Sequence, residues 1–186
     1  MKFLFSVKFL FAVAMFVFGM VSLAGVNLFF DATNQMEFCT SCHSMKTNLE
    51  EYKETVHFKN ASGVQATCAD CHVPKSLLPK VQAKILAAKD VYHEIMGTVD
   101  TTEKYEARRW QMANVVWDKM RASNSRECRS CHDYDNMDLS AQSKSARNRH
   151  PRAELEGKAC IDCHKGIAHT EPDEPEEPEP AAKAEG

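Results

Sequence analysis

The chain has 186 residues and a formal charge of −3 at pH 7, a length that suits one globular domain with short extensions. The last sixteen residues contain seven acidic residues and one lysine, and residues 1–170 carry the remaining +3. A weakly basic body with an acidic, proline-rich extension excludes the strongly basic surface that nucleic-acid binding requires, so no nucleic-acid partner is expected.

The first predicted element is a transmembrane helix at residues 9–30. Within this stretch only Ser22 and Asn27 are distinctly polar, and its 22 residues suffice to cross a bilayer, which takes about 20. Residues 22–24 resemble a signal-peptidase site, whose cleavage would release the rest of the chain as a soluble protein. The apolar run continues past that site to Phe30, however, and this favours a retained anchor.

The charges that flank this helix predict its orientation. Lys2, Lys8 and the terminal amine precede it, and positively charged flanks remain on the cytoplasmic side. We therefore expect residues 1–8 in the cytoplasm and residues 31–170 as a periplasmic domain attached to the inner membrane. Residues 171–186, which are acidic and lack a large apolar side chain, are predicted to be a disordered tail.

All eight cysteines of the chain fall into four C-x-x-C-H motifs. An even number of cysteines outside the cytoplasm would first suggest disulfides, and a single such pair could be half of a zinc site. Four complete motifs indicate covalent haem attachment instead, in which both cysteines form thioethers to the porphyrin and the histidine can bind the iron. The cysteines are Cys39, Cys42, Cys68, Cys71, Cys128, Cys131, Cys160 and Cys163. The sequence therefore predicts four c-type haems.

The spacing of the motifs predicts a duplicated two-haem unit. Their first cysteines are separated by 29, 60 and 32 residues, so the motifs form two close pairs. The first motif of each pair has serine before its second cysteine (Ser41, Ser130), and the second motif has aspartate there (Asp70, Asp162).

The readable secondary structure is helical. Apolar residues from Leu78 to Ile95 recur with the spacing of an amphipathic helix, and a second helix is predicted at residues 103–120. No stretch alternates like a strand. The predicted fold is mainly α: one N-terminal transmembrane helix, followed by a multihaem cytochrome c domain whose core is largely porphyrin.

Several residues could bind the four irons. The motif histidines are His43, His72, His132 and His164, and the histidines outside the motifs are His57, His93, His150 and His169. Eight histidines would allow two for each iron, although any one of them could have a surface or hydrogen-bonding role instead. Met45 lies two residues after His43. Its thioether is either a haem ligand that raises the potential or a core filler.

Three runs of residues resemble the NapC/NirT family of tetrahaem quinol dehydrogenases. They are Gly-Val-Gln-Ala-Thr-Cys-Ala-Asp-Cys-His-Val-Pro at 63–74, Ser-Arg-Glu-Cys-Arg-Ser-Cys-His at 125–132, and Cys-Ile-Asp-Cys-His-Lys-Gly-Ile-Ala-His at 160–169. The resemblance extends from the anchor to the last of these runs and leaves only the acidic tail outside.

The resemblance implies a quinol site at the first haem. Met45 would bind the first iron, whose other face would be open to quinol, with His43 and His93 as lesser alternatives for the ligand. Asp90 would stand over the open face, and Lys84, twelve residues after the second motif's histidine, would help to bind quinol. On a regular helix Lys84 and Asp90 are about 120° apart and would not share a face.

The resemblance also implies that neighbouring haems exchange ligands. His169 would cap the second haem beside His72, His57 the third beside His132, and His150 the fourth beside His164. His93 would be left near the quinol site. Three haems would then be closed by two histidines each.

The function implied is the transfer of electrons from membrane quinol, either menaquinol or ubiquinol, to a periplasmic reductase. Asp90 would accept a proton from quinol. Nitrate reductase is the first choice of partner, and a nitrite reductase or an N- or S-oxide reductase is an alternative. Two other kinds of function compete with this one: a terminal reductase that acts on its own substrate at an open haem, and a soluble electron shuttle released by signal cleavage.

Overall fold

The structure, a computed structural model, describes residues 2–175, with side chains from Ser6 onward. Eight α-helices follow one another within this range: α1 (Lys2–Asn34), α2 (Met36–Cys39), α3 (Met45–Lys53), α4 (Cys68–His72), α5 (Leu77–Ile95), α6 (Thr102–Ala122), α7 (Arg126–Arg129) and α8 (Lys144–Leu155). Three 3₁₀ turns complete them: Tyr134–Asn136, Leu139–Ala141 and Cys160–Asp162. No strand occurs between residues 2 and 175, which confirms the mainly α prediction.

Helix α1 is the one helix among the described residues that is long and apolar enough to span a membrane. The most apolar 18 residues of the segment Ser6–Asn34 have a mean hydropathy of 2.4, and the large apolar side chains of this segment, apart from Phe30, are exposed rather than packed against the domain. A helix that is apolar all round fits lipid surroundings. The helix extends beyond the predicted residues 9–30 at both ends, because nothing in residues 2–8 or 31–34 breaks it.

The polypeptide core is small. Only six apolar residues are buried among the described residues: Phe30, Tyr52, Tyr105, Trp117, Ala159 and Ile161. Trp117, Ala159 and Ile161 form one cluster, which joins α6 to the turn of the fourth motif. A domain of this size needs a larger apolar core than that, so most of its interior must come from something other than side chains.

The two long helices of the domain agree with the sequence pattern. The predicted helix at residues 103–120 begins one residue earlier, after Thr101, whose side chain accepts a hydrogen bond from the Lys104 amide (3.3 Å). Helix α5 carries Pro79 within its first turn, where proline is tolerated. The predicted tail, residues 171–186, lies outside the described residues except for 171–175, which have no regular secondary structure.

Candidate functional site

Each C-x-x-C-H motif is folded as a short helical turn. The second and third motifs lie on α4 and α7, the fourth on a 3₁₀ turn, and the first where α2 ends. Residues three apart on such a turn lie on the same side, so the two thiols of a motif can reach one porphyrin edge. No two of the eight cysteines form a disulfide with each other.

The serines before the second cysteines make the same hydrogen bond in both halves of the domain. Ser41 Oγ donates to the Phe38 carbonyl and Ser130 Oγ to the Glu127 carbonyl, each at 2.7 Å and three residues back. The hydroxyl thus closes the turn that bears the thiols. This equivalence agrees with the predicted duplication.

The aspartates before the second cysteines are equivalent in the same way. Asp70 Oδ2 accepts from the Thr67 amide (2.8 Å), and Asp162 Oδ2 accepts from the Ala159 amide (3.2 Å). Each aspartate therefore caps the N-terminus of its own motif. The hydrogen bonds from Thr67 hold the pKa of Asp70 below its usual range. The aspartate before the second cysteine thus has the same local structural role in the second and fourth motifs.

In space, the four motifs lie next to one another in the order in which they occur along the chain. Helix α4 contacts both α2 and α7, which brings the second motif between the first and the third. The third and fourth motifs meet through Ser125, which is fully buried and whose Oγ accepts from the Ile161 amide (3.2 Å). The attachment sites consequently form one continuous series.

Three motif histidines each face a second histidine. The ring centroids are 6.3 Å apart for His72 and His169, 6.1 Å for His57 and His132, and 6.0 Å for His150 and His164. A metal bonded to a ring nitrogen at about 2 Å on each side would place two such centroids about 6 Å apart. These are the same three pairs that the family resemblance implies.

The surroundings of these histidines suit a metal between the rings. The buried Nδ1 atoms of His57 and His169 have no hydrogen-bond partner in the described part of the chain. His150 Nδ1 donates to Gln142 Oε1 (2.6 Å), which leaves its Nε2 for a ligand bond. The hydroxyl of buried Tyr52 lies between the carbonyl oxygens of Ala66 and His57 (3.0 Å to the latter) and fixes the backbone there. Together with the small polypeptide core, these features fit haem at the motifs.

The first motif differs from the others. His43 is exposed, and Met45 is the first residue of α3. Asn48 Nδ2 lies 3.8 Å from the Met45 sulfur, and the Tyr105 hydroxyl donates to Asn48 Oδ1 (2.7 Å). A hydrogen-bonded chain from α6 therefore reaches Met45 through Asn48.

Glu94 connects α5 to the first motif, and the sequence analysis did not identify it. Its Oε1 accepts from the His43 amide (2.9 Å), and its Oε2 accepts from the hydroxyl of buried Ser44 (2.7 Å). The partners are about 50 residues apart in sequence, so no local pattern reveals the contact. The one available signal was its position, a single helical turn after Asp90.

Asp90 is exposed on α5, four residues before Glu94. Residues four apart lie on the same side of a helix, so Asp90 is on the side of α5 that meets the first motif. His93 is half-buried, and its Nδ1 lies 3.3 Å from Thr98 Oγ1 at the end of the helix.

Lys84 lies toward the membrane anchor. Its Nζ donates to the carbonyl and the hydroxyl of Thr33, both at 2.9 Å, and Thr33 belongs to the last turn of α1. Burial lowers the pKa of Lys84. Helix α5 has no break between Lys84 and Asp90, so the two residues do not share a face, as the regular helical spacing predicted.

A mainly helical domain with four C-x-x-C-H turns, a small side-chain core and paired histidines defines a multihaem c-type cytochrome. More specifically, the chain belongs to the NapC/NirT cytochrome c family, because the model of the N-terminal region of that family matches residues 3–174. It is a haem-binding electron-transfer protein of respiration, and its N-terminal helix α1 is suited to anchor it in a membrane.

Three relatives illustrate the similarity. A protein of Allochromatium vinosum, provisionally described as a tetrahaem cytochrome c, is 65% identical over 163 residues, which cover 88% of this chain and 89% of that protein. NapC of Escherichia coli K12 is 47% identical over 85% of this chain and 80% of its own length. NirT of Stutzerimonas stutzeri, a denitrification system component, is 48% identical over 84% of this chain and 79% of its own length. No solved structure matches.

Proposed function

We propose that this protein oxidises quinol at the periplasmic side of the inner membrane and passes the electrons to a soluble periplasmic reductase. The observation that carries the proposal is the position of the first motif. Glu94 attaches that motif to α5, and Lys84 attaches α5 to the end of the membrane helix. The motif without a facing imidazole is thus the one linked to the membrane, where a quinol substrate is dissolved.

The proposal includes four haems, each covalently attached to one motif. The proposed axial ligands are Met45 for the first iron and the pairs His72 with His169, His132 with His57, and His164 with His150. The three ring separations of about 6 Å support these pairs. When bound, haem supplies a group that takes up and releases one electron at a time.

Asp90 and Lys84 are the proposed quinol-binding residues. The two positions are about 9 Å apart along the helix, with Lys84 at the membrane end. The exposed carboxylate of Asp90 can accept a proton from the quinol hydroxyl as the electrons leave, since quinol oxidation releases two protons with two electrons. Lys84, which donates to Thr33, orients this part of α5 on the anchor.

Nitrate reductase is the proposed electron acceptor. The similarity to NirT, a denitrification system component, supports a partner that reduces an oxide of nitrogen. A nitrite reductase or an N- or S-oxide reductase is the alternative partner. The arrangement proposed is residues 1–8 in the cytoplasm, residues 9–30 in the membrane, and residues 31–170 in the periplasm.

The test uses the full haem-loaded chain in detergent. Menaquinol and ubiquinol analogues are added separately, and haem reduction is followed by absorbance. Purified periplasmic nitrate reductase and nitrate are then supplied, and nitrite is measured, with a nitrite reductase and an N-oxide reductase as parallel acceptors. If neither quinol analogue reduces the haems, the proposal is wrong. Consumption of nitrate or nitrite without an added reductase would make the chain itself a terminal reductase.

A further inference from the structure

An ion pair fixes the chain immediately after His169. Arg109 of α6 donates through Nη2 to both carboxylate oxygens of Glu51 of α3, at 2.7 and 2.5 Å, and to the Thr170 carbonyl at 2.9 Å. The Thr170 amide in turn donates to Glu51 Oε2 (2.9 Å). We call Glu51, Arg109 and Thr170 the clasp. It joins three segments that are between 58 and 119 residues apart.

The clasp is shielded from water. The side chains of Arg109 and Glu51 are 11% and 19% exposed, whereas the other arginine–carboxylate pairs of the domain have at least one partner more than a third exposed. A shielded, charge-assisted pair is held more firmly than a surface pair. Removing Arg109 would leave the shielded Glu51 carboxylate without its cation, whereas Arg109 would keep Glu106 (3.3 Å) if Glu51 were removed.

The segment that the clasp holds has little structure of its own. Residues 165–169 form turns and bends, and neither they nor Thr170 belong to a helix. His150 differs in this respect, because it lies within α8. The position of the His169 ring, 6.3 Å from His72, therefore depends on contacts made from outside its own segment.

We infer that Glu51 and Arg109 are positioning residues that hold His169 against the second haem, so that the C-terminal segment closes that haem as its sixth ligand. The inference rests on the proposed pairing of His72 with His169 and adds the device that maintains it. Without the clasp, the backbone at Thr170 is released and the ring leaves the iron for part of the time. The second haem then has an open position.

The test compares haem-loaded, full-length variants in detergent. The variants are Arg109→Ala, Arg109→Lys, Glu51→Gln and His169→Ala, with Arg108→Gln as the matched control, since Arg108 is exposed on the same helix. Two signals are measured: carbon monoxide binding to the reduced protein, and high-spin ferric haem by electron paramagnetic resonance. Intact mass verifies that each chain carries its full set of haems. A side chain that acts only as a structural brace would change stability but neither signal.

His169→Ala should add one carbon-monoxide-binding haem to the number in the unaltered protein. Arg109→Ala and Glu51→Gln should raise the open fraction of that same haem, by roughly 10- to 100-fold if one charge-assisted hydrogen bond is lost. Arg109→Lys should give a smaller open fraction than Arg109→Ala. The lysine ammonium can bind Glu51 but cannot also donate to the Thr170 carbonyl as the guanidinium does. Arg108→Gln should match the unaltered protein.

The outcomes distinguish the proposed ligand pair, His72 with His169, from the proposed role of the clasp. If His169→Ala opens no haem, the proposed ligand pair is wrong. If His169→Ala opens a haem and both clasp variants match Arg108→Gln, the pair stands and the clasp is not a positioning device. Loss of the second haem's covalent attachment in the clasp variants, with retention in His169→Ala, would also contradict the inference, since the clasp would then act on assembly.

Discussion

Glu94 illustrates how one side chain can join two functional parts of the molecule. Its two carboxylate oxygens are used by different donors, the His43 amide and the Ser44 hydroxyl. Hydrogen bonds to a charged acceptor contribute about 1.5–3 kcal/mol each, and Ser44 is buried, so its hydroxyl cannot turn to water instead. The carboxylate therefore keeps the first motif at a fixed distance from α5.

We predict that Glu94→Ala loosens the first motif without removing a haem. Exchange of the His43 amide should become about 10- to 100-fold faster, because that amide loses its acceptor. Hydrogen-exchange mass spectrometry measures this, with Lys89→Gln, an exposed position on the same helix, as the control. Equal exchange in the two variants would show that Glu94 does not hold the motif.

Asp90→Asn is expected to retain four haems and their spectra but to slow quinol oxidation. The amide keeps the shape of the side chain and removes the proton acceptor, and general base catalysis typically contributes about 10²–10⁴-fold. The rate of haem reduction by a quinol analogue is the measurement, with dithionite reduction as the control that does not need the site. An unchanged quinol rate would exclude Asp90 as the acceptor.

Among the elements, the turn before the third motif has an unusual backbone. Asn124 and Ser125 both adopt positive φ, 50° and 49°, a conformation that favours glycine. The turn reverses the chain after α6 and places the Ser125 hydroxyl against the Ile161 amide of the fourth motif. The strain at two residues is balanced by the docking of the two motifs.

Ser125→Ala should destabilise the domain by about 1–3 kcal/mol, because the buried Ile161 amide loses its acceptor. Denaturant unfolding followed by haem absorbance measures the change, and Ser145→Ala, at an exposed position of α8, is the control. If the two variants unfold at the same denaturant concentration, Ser125 does not hold the motifs together.

The elements that the sequence predicted are those with a local cause. Helices α5 and α6 begin and end within two residues of the apolar periodicity, and the repeated Ser and Asp of the motifs make hydrogen bonds within four residues. Glu94 and Arg109 contact residues that are 50 or more positions away in the sequence. The spacing of apolar residues predicts helices but does not indicate which distant residues will be in contact. The candidate haem sites could thus be predicted, whereas the residues that position them could not.

At the scale of the whole molecule, one motif is distinct and three are alike. The proposed ligands give three haems with two histidines each and a first haem with Met45 and an open face. We predict three low-spin signals and one signal of different spin state by electron paramagnetic resonance. Met45→Leu should alter the distinct signal alone. Four equivalent low-spin signals would assign a second histidine, such as His93, to the first haem and contradict both the Met45 and Asp90 proposals.

We also predict that α1 is retained in the mature protein. The helix continues without a break past the signal-peptidase-like residues 22–24, and an apolar segment exposed on all sides requires lipid. Salt-washed membranes should contain the protein with its N-terminus at or near Met1. If the protein is instead found in the soluble fraction with Gly25 as its N-terminus, the helix is cleaved and the protein is a soluble electron shuttle.

The scarcity of buried side chains has a consequence for how the protein is made. With six buried apolar residues between positions 6 and 175, the polypeptide has little to fold around until its haems are attached. Attachment and folding then become one event during biogenesis, and the newly exported chain stays open to the enzymes that attach haem. A cell short of haem would be left with an unfolded, protease-sensitive chain, so the supply of haem controls how much of the protein accumulates.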